Sequence, residues 1–229
     1  MPYSREAPSA RYTELLDQYN QVHTEGLADQ DIVAENAFAG TSLKKHLHHI
    51  RALTRATQSK TLLDYGSGKG VKYEARDITV KGERAKSVQD YWALDSITCF
   101  DPGYPPFAAV PQGTFDAVIC IDVLEHIPDL DLPWMLEEQF RFARKVVFAN
   151  IASYPASKTL PNGENAHCTI EPASWWRAVI ERAHAASGST ADYLFTVETK
   201  VKVAKWFGLK IRFKPHFEYI SNRADWLTV

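Results

Sequence analysis

Two kinds of apolar pattern follow one another along the chain. Apolar side chains first recur at helical spacing, from Tyr12 to about His23 and again from Ser42 to Thr57. Short, nearly continuous apolar runs follow, and further helices are predicted at 130–143 and 175–186. The runs that predict strands are TLLDY (61–65), SITCFD (96–101), FDAVICID (115–122), KVVFANI (145–151), YLFTVET (193–199) and KIRFKPHFEYI (210–220).

Strands that are apolar along their whole length and alternate with helices indicate a parallel sheet covered on both faces. We therefore predict an α/β fold, a Rossmann-like, doubly wound, mostly parallel sheet whose last two strands form an antiparallel edge pair. Residues 1–57 are interpreted as an N-terminal helical cap or lid, with residues 1 to about 10 frayed. Residues 58–229 are assigned to the Rossmann-like domain, and both parts are expected to form a single globular unit.

Composition and charge narrow the classes of function. The chain has 229 residues, of which 24% are charged, and a net charge of −2, so no broad basic surface for nucleic acid is expected. It holds neither a signal-peptide pattern nor 18 consecutive apolar residues, which predicts a cytoplasmic protein without a membrane span. Its three cysteines do not follow a zinc-binding spacing, and no metal site is predicted.

The stretch TLLDYGSGKG places three alternating glycines directly after a predicted strand. Glycine allows positive φ angles and a close approach of the backbone, so bare amides at this turn are expected to meet a polar ligand. The alternative is ordinary packing of a strand against a helix. The spacing fits neither a P-loop nor the G-x-G-x-x-G dinucleotide pattern. Asp64 would repel a pyrophosphate, whereas it suits a ligand with a cationic or hydroxyl group.

Two further strand ends carry acids. Asp101 follows the second strand, where a carboxylate can accept hydrogen bonds from a ribose diol, or can instead cap the turn at Pro102 and Gly103. The third strand ends in ICIDVLEHIPD, which brings Asp122, Glu125 and His126 to the same edge of the sheet. The alternative interpretation is that Asp122 caps a short helix and that His126 is a structural histidine.

Taken together, LLDYGSGKG, CFDPG and GTFDAVICIDVLEHIPD resemble the class I S-adenosylmethionine-dependent methyltransferases, in particular their small-molecule branch, over residues 61–129. The resemblance implies S-adenosylmethionine as cofactor and direct methyl transfer to a small-molecule or sugar-like acceptor. It implies that Asp101 holds the ribose hydroxyls, and that Asp122 and Val123 lie beside the methionine moiety and the methyl exit. The residues implied to contact the aminoacyl part are Asp64 and the backbone of Tyr65, Gly66, Ser67, Gly68 and Gly70.

The spacing departs from that family at two places. Asp101 follows Gly70 by 31 positions, where about 20 is usual for such an acid. Only 14 positions separate Asp101 from Phe115, which leaves little room for a further strand with an adenine-contacting acid. The adenine contacts are therefore unassigned. The adenine base could stack on Tyr91, Trp92 or Tyr104, and the alternative is that these rings pack in the hydrophobic core.

The long polar segment at 153–172 is expected to lie at the same edge of the sheet and to contact the substrate. Asn165 and His167 are the candidate substrate contacts, and His126 and His167 are the candidate general bases. The alternative is a surface loop whose Asn and His satisfy its own turns. At the level of function, the alternative to an enzyme is a non-catalytic S-adenosylmethionine-binding partner subunit or sensor. The oligomeric state is left open.

Overall fold

A computed structural model of the chain describes residues 3–203 and 212–226. The predicted helices and strands all form, with boundaries that shift by a few residues. The helices are α1 (Ala10–Glu25), α2 (Leu43–Ala56), α3 (Val71–Glu74), α4 (Val88–Trp92), α5 (Leu132–Phe142) and α6 (Ala173–Ser187). The strands are β1 (Thr61–Tyr65), β2 (Ile78–Val80), β3 (Glu83–Ala85), β4 (Ser96–Phe100), β5 (Phe115–Ile121), β6 (Ala143–Ala152), β7 (Asp192–Val203) and β8 (Arg212–Ser221).

Six strands form the central sheet in the order β4-β1-β5-β6-β7-β8. Neighbouring strands from β4 to β7 pair in parallel, and β8 pairs with β7 in the antiparallel sense. The predicted mostly parallel sheet with an antiparallel edge pair is thus confirmed. The first two positions predicted for the last strand, 210 and 211, lie outside the described residues.

The central strands are buried on both faces, which explains their continuous apolar runs. Leu62 and Ile119 belong to a core on one face of the sheet, together with α2 and α4. Leu63 and Val118 belong to the core on the other face, with α5 and α6. Adjacent residues of a strand point to opposite faces, so Leu62 and Leu63 of β1 pack into different cores.

Residues 5–9 are not frayed, contrary to the prediction. Arg5 donates to Glu138 on α5 at 2.6 Å, and the amide of Ser9 donates to Asp131 at 3.0 Å. The hydroxyl of Ser9 also accepts from the amide of Tyr12 at the start of α1. Glu138 and Asp131 belong to the sheet domain, so an ion pair and hydrogen bonds hold residues 5–9 against it. The polar character of this segment in the sequence does not indicate these distant partners.

A two-stranded hairpin accounts for the long spacing between the glycine turn and Asp101. The strands β2 and β3 form a separate antiparallel pair, which the sequence analysis missed. Its signal was the pair Lys81–Gly82, both of which adopt positive φ in the tight turn. Between Asp101 and Phe115 the chain forms no strand, as the short spacing predicted, and only one 3₁₀ turn.

Within residues 3–203 and 212–226, no helix combines the length and the apolar character that crossing a bilayer would demand.

Candidate functional site

A cavity of about 450 Å³ lies at the carboxyl ends of β1, β4 and β5. Parallel strands end at this edge, where open α/β sheets bind ligands. Helix α1, the segment before α2 and the loop at 153–172 form its other walls. Most of the predicted site residues line it, namely Asp64, Tyr65, Gly66, Ser67, Gly68, Gly70, Asp101, Asp122, Val123, His126 and His167.

The glycine turn is shaped by close contacts within the protein. Gly66 and Gly68 have φ of 83° and 56°, and a Cβ on either would come to 2.4 Å of its nearest neighbour. For Gly66 that neighbour is Val123 Cγ2, and for Gly68 it is the carbonyl oxygen of Phe38. Strand-to-helix packing, the alternative left open by the sequence, is therefore one reason for these glycines.

The amides of the turn are not bare, contrary to the prediction. The amides of Gly66 and Ser67 donate to the carbonyl of Phe100, the amide of Gly70 to that of Ser67, and the amide of Gly68 to Asp101. The missing side chains leave room for a ligand, but these four donors already have acceptors. The side chain of Tyr65 is also occupied, since its hydroxyl donates to Glu138 at 2.6 Å.

Asp101 connects two turns at the edge of the sheet. One carboxylate oxygen accepts from the amide of Gly68 at 2.7 Å, and the other accepts from the amide of Gly103 at 2.9 Å. The turn-capping role that the sequence left open is confirmed by the second bond. Each oxygen retains lone-pair capacity for a further donor, and Asp101 lines the cavity.

Asp64 is a buried acid at the end of β1. Its carboxylate accepts a hydrogen bond from the hydroxyl of Tyr73 at 2.7 Å. Burial raises the pKa of Asp64 to about 7, with Asp101 adding to the rise and the Tyr73 bond opposing it. A cation placed beside this carboxylate would restore its charged form, because an opposite charge favours ionisation.

Asp122 has a backbone conformation with φ of 53°, and its carboxylate accepts from the side-chain amide of Asn150. Asn150 is held in turn by the hydroxyl of Thr196, which donates to it at 2.6 Å. The proposed alternative, in which Asp122 caps a helix, is wrong, because the following 3₁₀ turn has Val123 at its cap position and no side-chain cap bond. Neighbouring strands therefore orient this carboxylate beside the cavity.

His126 and His167 meet in the cavity with perpendicular rings whose centroids lie 4.7 Å apart. His126 Nδ1 lies 2.8 Å from the carbonyl oxygen of Ala166 and 2.9 Å from the hydroxyl of Tyr19. The carbonyl oxygen of Ala166 can only accept a hydrogen bond, so the ring nitrogen beside it must be the donor. The proton of the neutral imidazole therefore resides on Nδ1. His167 Nδ1 likewise lies 2.6 Å from the carbonyl oxygen of Tyr154, and a hydrogen bond to the backbone of Ala152 also acts to raise the pKa of this ring. Both imidazoles therefore keep a lone pair on Nε2.

Burial keeps the two imidazoles neutral. It lowers the pKa of His126 to about 4 and lowers the pKa of His167 as well. A general base works best when its pKa lies near the operating pH, so His126 is a weak candidate for that role. The structure brings the two predicted histidines together, and it favours the neutral form of each.

Glu125 is a buried acid that the sequence analysis noticed and assigned no role. It is fully buried, and one carboxylate oxygen accepts from the amide of Ala152 at 3.0 Å. The other oxygen, Oε2, has no hydrogen-bond partner within residues 3–203 and 212–226. Burial raises the pKa of Glu125 well above its usual range. The available signal was an acid next to Leu124, with Ile127 following, because an acid buried among apolar side chains needs a partner.

Asn165 does not line the cavity. Its side-chain oxygen accepts from the amides of Ala156 and His167, and its nitrogen donates to the carbonyl of Ala156 at 2.9 Å. The alternative stated above, an Asn that satisfies the turns of its own loop, describes this geometry. Asn165 thereby orients the backbone on which His167 lies.

The N-terminal cap closes over the cavity through contacts with both neighbouring segments. Lys69 donates to the carbonyls of His23 and Ala34 at 2.9 and 2.6 Å. On the other side, the side chain of Gln30 bonds to Thr159 in the loop at 153–172. The cap thus links the glycine turn to the loop at 153–172.

The aromatic residues considered for adenine do not share one place. Tyr91 and Trp92 are buried in the core, and the indole N–H of Trp92 donates to the carbonyl of Leu47 at 2.9 Å. Tyr104 packs against Phe107 outside the cavity lining. For Tyr91 and Trp92 the core role is confirmed.

Comparison with known proteins gives one family. A family model described as a methyltransferase domain matches residues 38–197, which is more than half of the chain. The match starts after α1, so it covers the glycine turn, the acidic strand ends and the loop with His167 but not the first part of the cap. No solved structure matches the chain.

Proposed function

The chain belongs to the methyltransferase-domain family, and from this premise we propose that it transfers the methyl group of S-adenosylmethionine to a small-molecule or sugar-like acceptor. The observation that carries the proposal is the composition of one cavity. Its wall holds a buried carboxylate beside a glycine turn, a second carboxylate at the next strand end and a pair of neutral histidines. These are polar groups suited to a cationic, hydroxyl-bearing ligand and to a second molecule next to it.

The carboxylates support the cofactor part of the proposal. Burial raises the pKa of Asp64 and so disfavours its charged form. An ammonium or sulfonium group of a ligand would favour the ionised carboxylate. Asp101 retains acceptor capacity at the end of β4, where a ribose diol is expected in sheets of this kind. Asp122 and Val123 line the same cavity as these carboxylates and the histidine pair.

The protein's task in such a reaction is alignment more than chemical activation. The bound cofactor supplies an already activated methyl group, so the enzyme gains most by fixing the acceptor in line with it and excluding water. The Nε2 lone pairs of His126 and His167 are proposed to accept the hydroxyl hydrogen of the acceptor and so to orient it. The pKa of His126, about 4, argues against proton removal by this residue.

Cofactor binding tests the proposal directly. We expect S-adenosylmethionine and its demethylated product to raise the melting temperature, because a ligand that binds only the folded state stabilises it. Asp64→Asn keeps the size of the side chain and an acceptor for Tyr73, and it should weaken binding by about tenfold or more, since it removes the charge opposite the cation.

The matched control is Asp95→Asn, an exposed acid outside the cavity, which should bind like wild type. No thermal shift for wild type at millimolar ligand would refute the proposal. Transfer of a labelled methyl group to a pool of small metabolites then separates an enzyme from a protein that binds the cofactor without turnover.

A further inference from the structure

Three side chains of metal-binding types, one carboxylate and two imidazoles, come together at the cavity wall from segments 41 positions apart in the chain. The amides of Cys168 and Thr169 donate to the backbone carbonyl of Glu125 at 2.9 and 3.0 Å. These two bonds bring His167 against Glu125 and His126. A carboxylate oxygen of Glu125 and one ring nitrogen from each histidine lie within 4.8 Å of one another.

The two histidines are oriented as metal ligands usually are. Each directs Nδ1 at a backbone carbonyl, that of Ala166 for His126 and that of Tyr154 for His167. Metal-binding histidines typically donate their second ring N–H to a carbonyl or carboxylate, which fixes the tautomer and directs the other lone pair at the metal. Two independent backbone segments provide this arrangement here.

Glu125 supplies the independent observation that points to a ligand. Its Oε2 is fully buried and has no hydrogen-bond partner among the described residues. A buried polar atom without a partner is rare in folded proteins and destabilises the folded state by about 1–3 kcal/mol. Protonation does not remove the problem, because the resulting O–H would also need an acceptor.

We propose that Glu125, His126 and His167 bind one divalent transition-metal ion. Two imidazoles and one carboxylate form a donor set that suits Zn²⁺, Mn²⁺, Fe²⁺ or Co²⁺ rather than Ca²⁺. Three protein ligands leave coordination positions for water or substrate. His126 and His167 line the cavity, so an ion bound by them would lie next to the space that an acceptor would occupy.

The charges around the three ligands are mixed. Asp122 acts electrostatically on both Glu125 and His126, and its carboxylate favours a cation at this place. Lys158 and Lys200 act on His126 and His167 in the opposite sense. The donor set, rather than a strongly negative field, is therefore what selects a metal ion, and it favours ions that bind nitrogen well.

The role of the metal ion rests on the proposed function, and the ion takes the Nε2 lone pairs that would otherwise orient the acceptor hydroxyl directly. An acceptor hydroxyl that takes an open coordination position has its pKa lowered by the cation, so its proton passes to solvent. The oxygen lone pair then forms the bond to the methyl carbon while the carbon–sulfur bond breaks, and that electron pair stays on sulfur. The substrate class that fits this chemistry is a hydroxylated small molecule, methylated on oxygen.

Titration with Co²⁺ tests the metal site without any cofactor or acceptor. We expect chelator-treated full-length protein to bind one equivalent of Co²⁺ with the visible absorption of a nitrogen-ligated ion. Glu125→Gln and His167→Ala should each weaken binding by about 10- to 100-fold. Glutamine keeps an acceptor for the Ala152 amide, so this variant is expected to fold, and circular dichroism checks that it does.

His48→Ala and Glu74→Gln are the matched controls, because both residues are exposed and lie outside the cavity. The proposal is overturned if wild type binds no Co²⁺ in stoichiometric amount, if folded Glu125→Gln and His167→Ala bind it like wild type, or if the controls lose affinity equally. Cofactor binding is measured separately in the presence of chelator. Failure of that measurement refutes the proposed function and leaves the metal titration to decide the metal site.

Discussion

The two walls of the cavity differ in how their polar groups are satisfied. On the glycine-turn wall, the amides of four residues and both oxygens of Asp101 have partners within the protein. On the wall that carries the histidines, both imidazoles keep a lone pair on Nε2, and Oε2 of the neighbouring Glu125 has no partner in the part of the chain that the structure describes. The first wall is a preformed frame that a ligand fits into. The second has polar atoms that a ligand or an ion could satisfy.

The largest expected effect concerns the charge of Asp64 on the preformed wall. Its pKa is raised from an ordinary value of 3.8 to about 7, so the folded state binds a proton more tightly than the unfolded state. The free energy of unfolding therefore falls as pH rises from about 4 to about 7, by at most about 4 kcal/mol. Asp64→Asn should remove this loss, so its stability relative to wild type should increase over the same range.

Denaturant unfolding of both proteins at a series of pH values between 4 and 8 measures this difference. Asp95→Asn serves as the control for adding an amide at an exposed position. A difference between wild type and Asp64→Asn that stays constant with pH would show that Asp64 is charged throughout and that burial does not govern it.

The next effect concerns the contact between the two walls at Gly66. In Gly66→Ala the new Cβ would lie 2.4 Å from Val123, and the alanine would have to keep a positive φ. We therefore expect a loss of about 3 kcal/mol of unfolding free energy. Gly113→Ala has a similar φ of 79° with no atom within 4 Å, and should cost only about 1 kcal/mol.

A double-mutant cycle sharpens this test. Val123→Ala removes the atoms that clash, so it should recover part of the stability of Gly66→Ala while leaving the backbone strain. Equal losses in Gly66→Ala and Gly113→Ala, measured by urea denaturation, would mean that the two walls are not in contact at this point.

The smallest of the three effects concerns Asp101. Asp101→Asn keeps one oxygen acceptor but turns an amide NH₂ toward the second backbone N–H, so about 2 kcal/mol of unfolding free energy should be lost. Asp90, which accepts from the amide of Lys86 at an exposed site, is the control, and Asp90→Asn should lose less than about 1 kcal/mol. Similar losses in the two variants would show that the link between the turns adds no stability.

Much of the fold was predictable because the pattern of apolar residues has a local physical cause. The strand β1 is apolar because both faces of the central sheet are covered. Helix α2 has apolar residues along one side because only that side packs against the core. The hairpin β2–β3 was missed because its strands are only three residues long and mostly exposed, so they carry little apolar pattern. The anchoring of residues 5–9 depends on partners more than 120 positions away.

The sequence by itself determined the sheet, its edge at the glycine turn and the three acids placed there, because strand burial and turn geometry act between neighbours in the chain. The tertiary structure alone decided which polar groups of that edge are already paired. In the folded chain Asp101 accepts from the amide of Gly68, Asn165 bonds within its own loop, and His167 lies against Glu125 and His126. Hydrogen-bond partners and ligand sets are settled by distances in space, and residues 41 positions apart become neighbours only once the chain has folded.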